Sequence, residues 1–98
     1  MARRTYQISF PGTAFESITV TNAAAIGLTA ATLAGKRGAF ITCETNTVRF
    51  RWDGTDPTTA VGHIMDDRGY IQIMDKTTLE NIRFIATGAN ATLRVTFH

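Results

Sequence analysis

The groups able to do chemistry in this chain are few and scattered. Its two histidines are His63, which follows Gly62, and His98; serine occurs only at Ser9 and Ser17, and cysteine only at Cys43. Hydrolysis by a side-chain nucleophile needs that nucleophile, a base, and a group that orients the base. Both serines sit in strand-like alternation, far along the chain from either histidine, and His98 occupies a position that normally frays. Only His63 is placed to act as a base, and nothing accompanies it. A metal-dependent jelly-roll enzyme needs two histidines one residue apart with a carboxylate downstream. His63 has no such partner, so no metal or other cofactor is expected and the chain reads as non-enzymatic.

Three kinds of binding site remain to be weighed. Calcium takes several oxygen ligands gathered in a loop, and Asp53, Thr55 and Asp56, with Asp66 and Asp67 further on, offer oxygens. Their spacing does not match an EF-hand loop, and Asp53-Gly54 followed by Asp56-Pro57 is already good turn chemistry. A sugar site needs an exposed aromatic platform with polar groups nearby. Trp52 and Tyr70 flank the loop, but Trp52 shares the parity of Val48 and Phe50 and is expected in the core, which leaves Tyr70 alone. For nucleic acid, Arg49, Arg51, Arg83 and Arg94 fall on strand-like segments without the interleaved aromatics that stack on bases. The net charge is only +2, and the basic pairs Arg3-Arg4 and Lys36-Arg37 lie far apart. A solvated arginine-threonine face is expected, with no direct nucleic-acid contact.

The elements that must position these groups are strands. Side chains alternate between two faces along a strand. Tyr6, Ile8 and Phe10, then Ile18 and Val20, then Val48, Phe50 and Trp52, then Ala91, Leu93, Val95 and Phe97 each alternate with polar residues. Ala39–Glu44, Tyr70–Met74 and Leu79–Ala86 are apolar on both faces, as strands are when central in a sheet or covered by a neighbour. Thr45-Asn46 reads as a tight hairpin between Glu44 and Val48, and Thr87-Gly88-Ala89-Asn90 as the turn between the last two strands. Only 22–35 could be helical, with one short turn near Leu28–Leu33. The expected fold is all-β: an antiparallel β-sandwich or small jelly roll of about 7–8 strands, with residues 1–98 forming one domain.

Composition bounds the rest. At 98 residues the chain suffices for one core of thin stability margin. Charged residues make up 18%, below the usual ~25%, which points to an exterior partly covered by other protein. One cysteine allows no intramolecular disulfide, and Cys43 in its apolar strand reads as a buried thiol. No apolar run approaches the ~20 residues of a membrane span, and no signal-peptide profile opens the chain, so synthesis in a reducing cytoplasm and no membrane contact are expected. The segment Gly54–Gly69 is a long loop for so compact a domain. It carries Pro57, Val61, Ile64 and Met65, with no evident core strand to hold them. Together with His63 and Tyr70 they form the expected interface, on the chain's own sheet or on a neighbouring subunit.

The pattern Val48-Arg49-Phe50-Arg51, Asp53-Gly54-Thr55-Asp56-Pro57-Thr58, Gly62-His63, followed by Ile82–Ile85 and Ala91–Val95, resembles small structural proteins of tailed bacteriophages. The likeness covers roughly the C-terminal half. It implies a β-sandwich assembled into a virion as a decoration, cement, neck or tail component, made in the host bacterial cytoplasm. It brings no catalytic residues. The expected partners are further copies of the chain and other virion proteins such as the major capsid protein. The alternative is a carbohydrate-binding or host-recognition module of a tail or fibre, for which the partner is a glycan.

Overall fold

The computed structural model describes residues 11–98. The expected strand of Tyr6, Ile8 and Phe10 lies outside them, as do Ser9 and the Arg3-Arg4 pair. The element order is β1 (Ala14–Val20), α1 (Ala30–Leu33), β2 (Ala39–Glu44), β3 (Val48–Arg51), β4 (His63–Met65), β5 (Tyr70–Ile73), α2 (Lys76–Asn81), β6 (Arg83–Ala86) and β7 (Ala91–Phe97). Two antiparallel sheets result, a four-stranded one ordered β1-β7-β2-β5 and a three-stranded one ordered β4-β3-β6. Among the described residues no helix is long and apolar enough to cross a membrane.

The period-2 pattern is realised where it is cleanest. Ile18 and Val20 of β1, Leu93, Val95 and Phe97 of β7, and Val48 and Phe50 of β3 all enter one buried cluster spanning both sheets. Ala39, Ile41 and Cys43 join it from β2, which lies between β7 and β5 and so is interior to its sheet. The short helix falls within the expected window, with the Leu33 N–H donating to Thr29 O at 2.9 Å and Leu28 buried just before it.

Both expected hairpins are corrected. β2 and β3 belong to different sheets, and so do β6 and β7. Thr45-Asn46 and Thr87–Asn90 therefore carry the chain across the core, from one sheet to the other. Thr45 takes a φ of 78°, which turns the chain sharply. Side-chain hydrogen bonding ties the two corners together, Asn46 Nδ2 donating to Asn90 O at 2.8 Å.

The expected strand Leu79–Ala86 is shorter and starts later, because Lys76–Asn81 is helical. Asp75 caps this helix, its carboxylate accepting from both the backbone N–H and the hydroxyl of Thr78 at 2.9 Å. Those two hydrogen bonds hold the Asp75 carboxyl below its usual range. A capped turn satisfies N–H groups that a strand would have to pair. Leu79 is then buried from a helix, and β6 supplies only Arg83 onward. On the far side of β6, Ile26 and Phe84 exchange backbone hydrogen bonds at 2.8 Å in both directions, and Ala86 N–H donates to Thr21 O.

Among the described residues β1 is an outer strand of its sheet. Glu16 has the parity of Ile18 and Val20, so it points to the core side of that last strand. Its carboxylate accepts the Thr29 N–H at 3.2 Å. His98 is not frayed: its N–H donates to Gly38 O at 3.0 Å, and its carbonyl accepts from Arg37 and Gly38.

Cys43 is buried as expected, with Sγ donating to Asn46 O at 3.1 Å. Burial pushes its thiol from 9.0 up to about 11, with Asp67, Asp66 and Glu44 adding repulsion. At pH 8 the folded thiol is therefore expected to react with iodoacetamide at least about a hundredfold more slowly than the unfolded chain, since each unit of pKa removes tenfold of thiolate. Mass spectrometry of a timed reaction with and without denaturant checks this. The folded state holds this proton more tightly than the unfolded chain, so the group's contribution to stability is whole below 9.0 and is lost as pH rises through about 11.

Candidate functional site

The segment after β3 is built on Arg49. Its Nε donates to Thr59 O at 3.2 Å and its Nη1 to Gly62 O at 2.8 Å. This arginine, expected to be solvated, instead folds the loop back onto the outer face of its own sheet. Thr58 closes a small turn, accepting from the Ala60 and Val61 N–H groups. Gly62 sits at the closest approach with φ +139°; a Cβ there would lie 3.1 Å from Pro57 Cβ and 3.2 Å from Phe50 O. Beyond it His63–Met65 forms β4, pairing Val48 with Met65, Arg49 with Ile64, and Phe50 with His63. Gly54–Gly69 is thus not one long loop but a loop, a strand and a turn.

The six expected interface residues separate. Pro57 is buried, and Met65 is only 4% exposed, facing the core beside Val48. Both are covered within the chain itself. Val61 and Ile64 are 54% and 55% exposed, Ile64 beside Arg49 on the outer face of β4. Tyr70 belongs to the other sheet, opposite Thr42, with its ring 5.7 Å from that of Phe40. His63 is exposed at the rim of the three-stranded sheet.

That rim also holds Trp52, expected in the core. Trp52 is 46% exposed, not core. Trp52 keeps the side of Phe50, on which its ring packs, but it lies one residue past the end of the strand at Arg51, where burial gives out. The indole stacks on the His63 ring at 5.1 Å, and both pack on Phe50, at 5.9 and 5.7 Å. Beside it Arg51 and Asp53 form a two-point ion pair, Nε to Oδ1 at 3.1 Å and Nη2 to Oδ2. The hydrogen bond from Arg51, helped by the Thr55 N–H, holds the Asp53 carboxyl below its ordinary value. Arg51, Trp52, Asp53 and His63 line an open depression of about 270 Å³. The signal for this site was present in the sequence: a turn residue, Asp53-Gly54, directly after the tryptophan.

The other chemistry-bearing groups are not brought together. Ser17 lies in the four-stranded sheet, its hydroxyl accepting from Arg94 Nη1 at 2.7 Å, while His63 belongs to the other sheet. Arg94 also donates to Glu44 at 3.1 Å. Among the described residues no three of His, Cys, Asp and Glu are grouped so as to hold a metal ion. Compared with known protein families, with curated proteins and with solved structures, the chain matches none.

Proposed function

We propose that this chain is a non-enzymatic structural protein of a tailed-bacteriophage virion. In that role it is a capsid decoration or cement protein that binds neighbouring capsid subunits and stabilises the particle. The observation that carries the reading is two exposed apolar residues on a fixed scaffold, Val61 in a loop that Arg49 ties down and Ile64 on the paired strand β4. A rigid exposed apolar surface loses little conformational freedom when it is covered. Each such side chain contributes roughly 1.5–3 kcal/mol on full burial, and repetition over a shell makes modest contacts effective. The Asp-Gly-Thr-Asp-Pro-Thr pattern at 53–58, which leads into this surface, supplies the likeness to phage proteins.

Mass spectrometry of purified particles, combined with heating of particles that lack the protein, tests membership and role. The protein should be present in many copies, and its loss should lower the temperature at which particles release their contents. Ile64→Glu is expected to weaken binding to depleted particles at least about tenfold, because a carboxylate in the contact must be desolvated. Its own unfolding should change by less than about 0.5 kcal/mol, as for other exposed positions. Particles that never contain the chain would overturn the proposal.

A further inference from the structure

The depression at the rim of β3 and β4 is distinct from the Val61–Ile64 surface. Ile64 lies on the outer face of the sheet, whereas Trp52 and His63 extend the inner-face row through Phe50. We infer that this depression is a binding site for a neutral pyranose ring, the terminal sugar of a glycan, with Trp52 as its platform. Four observations converge on that ligand class.

First, the platform is built. An indole left exposed at the end of a strand has many orientations, but here His63 and Phe50 both brace it. Phe50 is itself anchored on Phe84 at 6.0 Å. A fixed aromatic face binds an apolar ring face with little loss of side-chain freedom.

Second, the hydrogen-bonding groups beside it are held in place. The two-point pair with Arg51 fixes the plane of the Asp53 carboxylate, whose oxygens keep lone pairs for further donors. Among the described residues the Trp52 indole N–H and Arg51 Nη1 have no acceptor. Fixed acceptors and donors thus stand together at the edge of an apolar face. A pyranose presents the matching surface, with C–H groups on one face and hydroxyls, each donor and acceptor, around its margin.

Third, the charges cancel. One guanidinium and one carboxylate form the ion pair, so the pair itself leaves no surplus charge to select a phosphate or an ammonium group. Fourth, its volume of about 270 Å³ falls just under the 300–1,000 Å³ common for drug-sized ligands. One sugar ring suits that size, and a long oligosaccharide enclosed on all sides does not.

The chain has a single tryptophan, so its fluorescence reports this site alone. The full-length protein is titrated with the methyl glycosides of glucose, galactose and mannose, and with N-acetylglucosamine, while emission is followed. A saturable change with at least one of them, at a dissociation constant of roughly millimolar order, is expected for so open a site. Asp53→Asn keeps the platform and removes the charged acceptor, and should weaken that binding about tenfold. Trp52→Ala should abolish it, read by ligand-observed NMR with circular dichroism confirming the fold. Absence of a saturable response to all four sugars would overturn the inference, as would binding that survives both substitutions unchanged.

Discussion

Phe84→Ala is expected to cost about 3–5 kcal/mol, the range for truncating a fully enclosed phenylalanine. Phe84 has no exposed surface and sits where three parts of the fold meet. Across its sheet it pairs with Phe50, and the two rings lie 6.0 Å apart. Through its backbone it holds Ile26 on the opposite side. The surrounding strands are hydrogen-bonded to one another, so they cannot collapse far into the space left behind. A domain of this size has roughly 5–15 kcal/mol in hand, and the loss takes up much of it. Urea unfolding followed by circular dichroism should show a midpoint lowered to match, with the slope unchanged. A loss under about 1 kcal/mol would mean that Phe84 is not the junction described.

Gly38→Ala is expected to be the second most damaging single change, at about 3 kcal/mol. A Cβ at Gly38 would lie 2.1 Å from the carbonyl oxygen of Ile73 and 2.6 Å from the His98 ring. The first neighbour is backbone, so no rotamer change relieves the clash. The next residue, Ala39, is paired with Ile73 on one side and Phe97 on the other. Moving Gly38 therefore strains the start of both ladders of the interior strand. Gly88→Ala is the control: nothing lies within 4 Å of a Cβ there, and its stability should change by less than about 0.5 kcal/mol. Thermal unfolding of the two variants side by side separates crowding from any general effect of replacing glycine.

What the sequence made legible was decided by which physical signals are local. Alternation in Ile18–Val20, Val48–Phe50 and Ala91–Phe97 fixes burial, because a strand's period is set by its own backbone. The partner of each strand is not local. Thr45-Asn46 has the composition of a hairpin turn and of a corner alike, so only the packing of both sheets around one core decides between them. Helix α2 is hidden in the sequence for a related reason. Leu79 and Ile82 suit a helix as well as a strand, and the deciding feature is the Asp75 cap on Thr78. For the rim site, parity carried one residue past the end of β3 hid Trp52 in a core it does not enter. Arg49 shows the limit in the other direction, since an arginine facing outward on a strand gives no sign of the carbonyls it will collect.

Glu16 bears on how many copies of this chain can safely crowd together. The last strand of a sheet is a template onto which another chain can add, and repeated addition builds fibres. At β1 that template runs seven residues. The carboxylate directed inward at its third position, already engaged with the Thr29 N–H, would have to be stripped of water and of that partner by any strand laid alongside. Among the described residues the β1 edge thereby carries its own terminator against strand addition. Copies of the chain can thus crowd together at that edge while remaining discrete molecules.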